Sequence, residues 1–177
     1  MTMKKIRRLI LLGLLCVISI GASAYDFCLG NIYYNITSST DLTCEVTYGN
    51  SNYSGIVNIP SSVTYKNKAY SVTRIGFSAF GGCSGLTSVT IPNSVTSIGE
   101  FAFDGCSSLP VQNNLRYADT YLVEALDKTL STYTIKKGTK WIGFSAFSDC
   151  SNLTSINIPN SVTRIEKKAF SGCNYET

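Results

Sequence analysis

The sequence predicts a β-rich, right-handed parallel solenoid with short helical turns and an N-terminal β cap. Three observations carry that expectation. A 23-residue period runs through most of the chain, and a fixed period in this range marks a stack of like supersecondary units. Within each period a strand-like run ends at proline, turns, and gives a second short strand-like run. The residues ahead of the first unit are rich in β-formers but fall outside the period, as a cap over the end of a stack would.

The period shows most clearly in four copies that end in cysteine. Ile75-Gly76-Phe77-Ser78-Ala79-Phe80 leads to Cys83, and Ile98-Gly99-Glu100-Phe101-Ala102-Phe103 leads to Cys106. Ile142-Gly143-Phe144-Ser145-Ala146-Phe147 leads to Cys150, and Ile165-Glu166-Lys167-Lys168-Ala169-Phe170 leads to Cys173. The cysteines are 23, 44 and 23 residues apart. The 44 is two periods less two residues, so a divergent unit sits in the middle.

The N-terminus reads as a secretory signal over residues 1–24. Lys4, Lys5, Arg7 and Arg8 form a basic region, Leu9 to Ile20 an apolar one, and Ala22-Ser23-Ala24 a small-residue cleavage site. A lipoprotein signal with Cys16 as the lipidated residue is the alternative, although Leu14 and Leu15 stand where small residues are expected. Residues 25–177 then form one domain: a cap over 25–59, repeats over 60–109, a divergent hairpin repeat over 110–134 and repeats over 135–177. In the cap, Ile32 to Ile36 and Thr43 to Tyr48 are strand-like, with turns at Ser38 to Asp41 and Gly49 to Asn52. Tyr65 to Tyr70 reads as a hairpin insertion around Asn67-Lys68.

The regular unit is legible residue by residue. In Leu86-Thr87-Ser88-Val89-Thr90-Ile91-Pro92, alternation points Leu86, Val89 and Ile91 inward and Ser88 and Thr90 outward. Pro92 ends the strand because it lacks an N–H for the ladder. Val95 and Ile98 point inward from the second strand, and Phe103 anchors an expected helical turn before Cys106. In the divergent unit, Arg116 to Leu126 is expected as one strand, Asp127-Lys128-Thr129 as the turn and Ser131 to Ile135 as the returning strand.

The pattern Cys-Ser-x-Leu-Thr-Ser-Val-x-Ile-Pro-x-Ser-Val-Thr-x-Ile-Gly-x-x-Ala-Phe resembles the BspA-like leucine-rich repeat, also called the Treponema pallidum type. It covers about Gly55 to Cys173, and the N-terminal segment looks like the cap of such proteins from Bacteroides-like bacteria. The resemblance implies a leucine-rich repeat solenoid, exported and either secreted, displayed at the cell surface or held in the periplasm. It also implies adhesion or protein binding, with host matrix proteins among the ligands of some members. Glu166-Lys167-Lys168 departs from the usual pattern, and no exit cap is visible after Cys173.

Composition excludes several functions. The chain has 15 Lys and Arg against 11 Asp and Glu. Four of the basic residues lie in the signal, so the remainder has 11 of each and gives no support for nucleic-acid binding. There is no histidine, which removes Ser-His-Asp and Cys-His catalysis and every His-containing metal site. No Cys-x-x-Cys or phosphate-binding loop is present. The carboxylate pairs Asp41/Glu45 and Glu124/Asp127 read as solvated. The chain is therefore expected to be non-enzymatic, without cofactor or metal, and without a membrane span after signal cleavage.

Two surfaces remain as candidates. Arg74, Ser97, Trp141 and Arg164 precede the second-strand isoleucine of the four copies. Arg74, Trp141 and Arg164 thus face out as a column, and Trp and Arg are the residue types that anchor interfaces. Packing of Trp141 on the neighbouring insertion, for example on Tyr133, is the competing account. The second candidate is the polar face Ser88, Thr90, Ser155 and Asn157, suited to hydrogen bonding with a protein or glycan. Cys83, Cys106, Cys150 and Cys173 are expected as a structural column of buried thiols rather than disulfides. Cys28 and Cys44 lie outside the repeat, where a bridge and two thiols are both open. The expected role is binding of a host or bacterial macromolecule. The alternative is a structural spacer or fragment of a larger surface repeat protein, self-associating through its uncapped last rung.

Overall fold

The computed structural model describes residues 24–50 and 52–174. The basic and apolar parts of the expected signal, Cys16 included, lie outside the described residues. Strands β1 (Phe27–Leu29), β2 (Ile32–Ser38) and β3 (Thr43–Thr47) form an antiparallel meander. Next come β4 (Gly55–Asn58), β5 (Ser62–Tyr65), β6 (Lys68–Ile75), β7 (Leu86–Thr90) and β8 (Ser97–Ile98). The divergent segment supplies β9 (Val111–Gln112), β10 (Leu115–Ala118) and β11 (Tyr121–Ala125). The last repeats supply β12 (Thr132–Thr134), β13 (Trp141–Ile142), β14 (Ser155–Asn157) and β15 (Arg164–Ile165).

These strands make four sheets. One runs β1-β2-β3-β6-β5, with β8 added on β6; a second runs β15-β13-β11-β10-β9; β4 pairs with β7, and β12 with β14. Strands one period apart pair in parallel: Ile75 lies opposite Ile98, Ile142 opposite Ile165, and Tyr133 opposite Ile156; Val57 lies opposite Val89 across the longer first unit. The ladder continues past the strand ends, where Gly99 N–H donates to Ile75 O at 2.8 Å and Glu166 N–H to Ile142 O at 2.9 Å. At Gly99 the coils come too close for a side chain, since a Cβ there would lie 2.6 Å from Phe77 N and 2.7 Å from Gly76 C, whereas the last copy carries Glu166 in the same column.

The expected right-handed parallel solenoid with short helical turns is corrected on two counts. Among the described residues there is no helix. The Phe-to-Cys segment closes instead by short turns, with Gly81 N–H on Ser78 O (2.9 Å) and Cys83 N–H on Phe80 O (3.0 Å). The residue two before each Phe takes a left-handed φ, +48° at Ser78, +58° at Phe101, +56° at Ser145 and +57° at Lys168. One such residue interrupts any run of right-handed helical dihedrals. The second correction concerns the N-terminal sheet, which is mixed and curls nearly closed rather than lying open. Phe27 and Tyr65, on the two end strands of its order, stack with ring centroids 4.3 Å apart.

The Tyr65–Tyr70 insertion is a hairpin. Tyr65 pairs with Lys68 across Lys66 and Asn67, both at positive φ, as a two-residue type I′ turn demands. In the divergent segment the reversal falls earlier than Asp127–Thr129: Ala118 pairs with Tyr121, so Asp119-Thr120 is the turn. The run around Ser131–Ile135 forms β12, which pairs in parallel with β14 rather than returning along the hairpin.

The divergent hairpin divides the interior. Ala118, Tyr121 and Val123 pack into one apolar cluster with the cap and the first coils. Leu115, Tyr117, Leu122 and Ala125 pack into a second cluster with Ile142, Phe147 and Leu153. All of β10 is buried, as is β11 apart from the half-buried Glu124. Both faces of this hairpin are thus covered, whereas regular coils bury one face and wet the other.

Candidate binding surfaces at the seam between repeat blocks

The interior explains the cysteine column first. Cys83, Cys106 and Cys150 are buried thiols and Cys173 a half-buried one. Each sits at the end of its turn. Cys106 Sγ donates to Phe80 O at 3.0 Å and Cys173 Sγ to Phe147 O at 3.2 Å, so a thiol stitches one coil to the coil before it. Burial pushes Cys106 up to about 12, and raises Cys83 and Cys173 above the usual thiol range. Thiols held protonated in this way are poor nucleophiles and poor metal ligands. Cys44, fully buried in the cap, is also a free thiol, pushed up to about 11 by burial, so it forms no bridge to Cys28.

Between the two repeat blocks the regular ladder stops. β8 pairs with β6 and with no other strand among the described residues, and β11 takes up the next sheet. Side chains of the divergent segment span the gap. The buried Arg116 donates Nη1 to Leu109 O (3.1 Å) and to Ser107 O, with its Nε on Glu124 Oε1 at 2.8 Å. Asp119 Oδ2 accepts the Ile91 N–H at 3.0 Å. Tyr117 Oη accepts the Lys136 N–H, and Tyr121 Oη the Phe144 N–H, both at 3.1 Å. Burial raises both phenols, Tyr121 to about 12. Glu124, half of one proposed carboxylate pair, is thereby an ion-pair partner, and Asp127 is held below its usual range by hydrogen bonds from Thr129. In the other pair, Glu45 is bound to Arg74 and Asp41 accepts from Ser38.

The candidate column is split by the same seam. Trp141 and Arg164 are register partners on β13 and β15. The Arg164 guanidinium lies over the Trp141 ring, 5.4 Å from its centroid. Its Nε is 2.9 Å from Glu166 Oε1, an ion pair without hydrogen-bond alignment. Its Nη1 donates to Thr96 O at 3.1 Å, across the seam. Trp141 is half-buried against Tyr121 (6.3 Å between centroids), while Tyr133 goes to Phe147 instead. Arg74 stands apart on β6, 3.2 Å from Glu45. The polar face is divided too. Ser88 and Thr90 lie on β7, where Thr90 Oγ1 donates to Asn58 Oδ1 at 2.9 Å, and Ser155 and Asn157 on β14.

Sequence reasoning missed an exposed aromatic ridge. Phe77 and Phe101 are 59% and 43% exposed. Their rings meet edge to face at 5.8 Å, and Phe101 meets Phe144 across the seam at 4.7 Å. Lys168 Nζ lies 5.9 Å from the Phe144 ring centre. Beside Phe101 and Phe144 opens a cleft of about 320 Å³, whose lining also includes Asp104, Tyr121, Glu124 and Lys128. The signal was present in the sequence: an aromatic follows the Ile-Gly or Ile-Gly-Glu step in three copies, at positions the core does not use. A larger hollow of about 790 Å³ runs beside β14, between Leu153, Ile156, Ile158 and Phe170.

Residues 73–177 match the BspA-type leucine-rich repeat region in six copies. The chain belongs to this family. The BspA-type repeat is a non-catalytic scaffold, and among the described residues no group of three or more His, Cys, Asp or Glu is placed to hold a metal. No helix among them is long and apolar enough to cross a membrane. The chain is similar to a leucine-rich repeat protein from Bacteroides ovatus, at 33% identity and a TM-score of 0.52 over 84% of this chain and 45% of that one. A leucine-rich repeat protein of Treponema pallidum matches at 28% identity and a TM-score of 0.47, over 80% of this chain and 64% of that one. A leucine rich cell surface protein from Faecalibacterium prausnitzii matches at 25% identity and a TM-score of 0.42, over 88% and 47%. The chain thus spans less than half the length of two of these three solved relatives. No curated protein matches it.

Proposed function

We propose that the mature chain is an exported binding module, secreted or held at the cell surface, that contacts host or bacterial macromolecules without catalysis. Membership of a scaffold family and the signal-like first 24 residues support this reading. The observation that carries it is the Trp141–Arg164 pair. A half-exposed indole and a guanidinium are stacked and held by register on the surface of parallel strands, so little side-chain freedom is left to lose on binding.

The test is binding of residues 25–177 to matrix proteins, mucins and glycans, with Trp141→Ala and Arg164→Ala alongside and thermal melts to confirm folding. Saturable binding weakened by both substitutions is the expected result. Affinity unchanged in both variants would remove the site. A second reading, self-association, is favoured by one observation: among the described residues β14 and β15 are sheet edges, with Ile165 52% exposed, and such edges template further pairing. A strictly monomeric chain in sedimentation at high concentration would eliminate it.

A further inference from the structure

We propose that the seam cleft beside Phe101 and Phe144 is a binding subsite for a neutral saccharide. This deepens the binding-module reading and rests on it.

Four observations lead there. First, Phe101 is a bulky residue held at φ +58°, where a side chain of that size is strained. The same column holds Ser78 and Ser145 in two other copies, so the turn itself does not call for a phenyl group. Strain of this kind collects at ligand sites. Second, the ring stays 43% exposed although it touches Phe77 and Phe144, making a run of three edge-to-face aromatic rings at the surface. Third, the cleft lies where the regular ladder stops between the two blocks, lined by residues 101–104 of one block, by Tyr121, Val123, Glu124 and Lys128 of the divergent segment, and by residues 144–148 of the next block. At about 320 Å³ it is at the small end of ligand pockets, a size for one or two sugar rings rather than a folded partner. Fourth, the polar groups at its rim are mixed: Asp104 and Glu124 accept, Lys128 donates, and the hydroxyls of Ser145 and Ser148 do both.

That chemistry selects among ligands. With Glu124 paired to Arg116 and Asp104 set against Lys128, the lining holds no surplus of cations to attract nucleic acid and other polyanions. A peptide adding as a strand needs an open edge, but β11 is already paired on both sides, to β10 and β13. A pyranose suits both parts of the site. Its C–H face carries the partial positive charge that the negative face of a phenyl ring attracts, and its hydroxyls donate to Asp104 and Glu124 while accepting from Lys128. The site is shallow and small, so the affinity for one such unit is on the order of 1 mM.

The test is an amide-resolved NMR titration of residues 25–177 with neutral oligosaccharides: maltohexaose, cellohexaose, mannohexaose and oligomeric N-acetyllactosamine. The expected result is saturable shifts at residues 101–104, 121–128 and 144–148 with at least one of these probes. Phe101→Ser, which restores the residue found in two other copies and keeps the fold, weakens binding about tenfold. Asp104→Asn, on an exposed side chain, weakens it less. Failure of all four sugars to move the cleft amides, shifts confined elsewhere, or equal binding by Phe101→Ser overturns the proposal. The two readings separate cleanly. Macromolecular binding that is lost in Trp141→Ala while no sugar reaches the cleft sinks the subsite alone. Sugar shifts in the cleft with no macromolecule bound at Trp141–Arg164 sink that face and support the subsite.

Discussion

The regular coils and the divergent hairpin solve the same problem by different means. From Ile75 to Leu109 each coil is held to the next by its backbone, through pairs such as Ile75–Ile98 and the Gly99 N–H on Ile75 O. Apolar columns fill beneath. Phe80 and Phe103 stack almost parallel at 5.1 Å, and Leu86, Val89, Val95 and Ile98 are buried where alternation places them. Between Pro110 and Leu126 the backbone ladder to the preceding coil is interrupted, and Arg116 and Asp119 reach back in its place. Forward, the ladder resumes through β11 and β13, and Tyr117 and Tyr121 add side-chain bonds to it. A ladder made by backbone tolerates many sequences. A junction made by side chains depends on each of them.

The comparison breaks most visibly at its apolar end. Phe103→Ala removes a fully buried ring from between Phe80 and Tyr121 and is expected to cost about 3–5 kcal/mol, read by urea denaturation. A loss below about 1 kcal/mol would mean that the stacked column is not what holds the coils. Arg116→Met comes next. The substitution keeps apolar bulk but orphans the carbonyls of Ser107 and Leu109 and leaves Glu124 without its cation. Because Glu124 is partly exposed, its share is discounted, and the expected loss is about 2–3 kcal/mol. Salt separates the two mechanisms. If raising ionic strength erases the effect of Arg116→Met, the Glu124 pair dominates rather than the buried carbonyl contacts.

How much of this was legible follows from the same contrast. Where a strand buries one face, the alternation of Leu86, Val89 and Ile91 against Ser88 and Thr90 announces it. In Tyr121-Leu122-Val123 both faces are buried, so alternation vanishes. The run reads as part of one long strand, which puts the expected turn at Asp127–Thr129 instead of Asp119-Thr120. The expectation of helical turns fails for a related reason. The positive φ that prevents them falls on Ser78, Phe101, Ser145 and Lys168, residues that do not advertise it as glycine would. The adjacency of Trp141 and Arg164 was readable from the period alone. The meeting of Phe101 with Phe144 was not, because it crosses the seam.

Glycine sharpens the backbone side of the comparison. Gly99→Ala places a methyl group 2.6 Å from Phe77 N and 2.8 Å from Gly76 O, atoms of the preceding coil that cannot turn aside. The coils must part, at about 2 kcal/mol. Gly138 is the control: a Cβ there meets nothing within 4 Å, so any cost comes from its φ of +86° and not from a neighbour. A Gly99→Ala protein as stable as the parent would show that the spacing between coils is soft.

The smallest effect tests a side-chain bond on the forward side of the hairpin, where it supplements the ladder. Tyr117→Phe deletes one oxygen and leaves the ring in the second apolar cluster. The Lys136 N–H, now 3.1 Å from that oxygen, loses its acceptor. If the side-chain junction is obligatory, the loss is about 1 kcal/mol, and amide exchange at Lys136 accelerates more than at residues of the regular coils. The burial-raised phenol gives the measurement a second handle. Tyr117 keeps its proton in the fold beyond the range where a free tyrosine loses it, so its contribution is complete at neutral pH and declines as pH rises through the folded value. The difference between Tyr117→Phe and parent should therefore narrow in alkali. A constant difference would mean that the Tyr117 phenol loses its proton alike in the folded and unfolded chain, so that burial does not hold it.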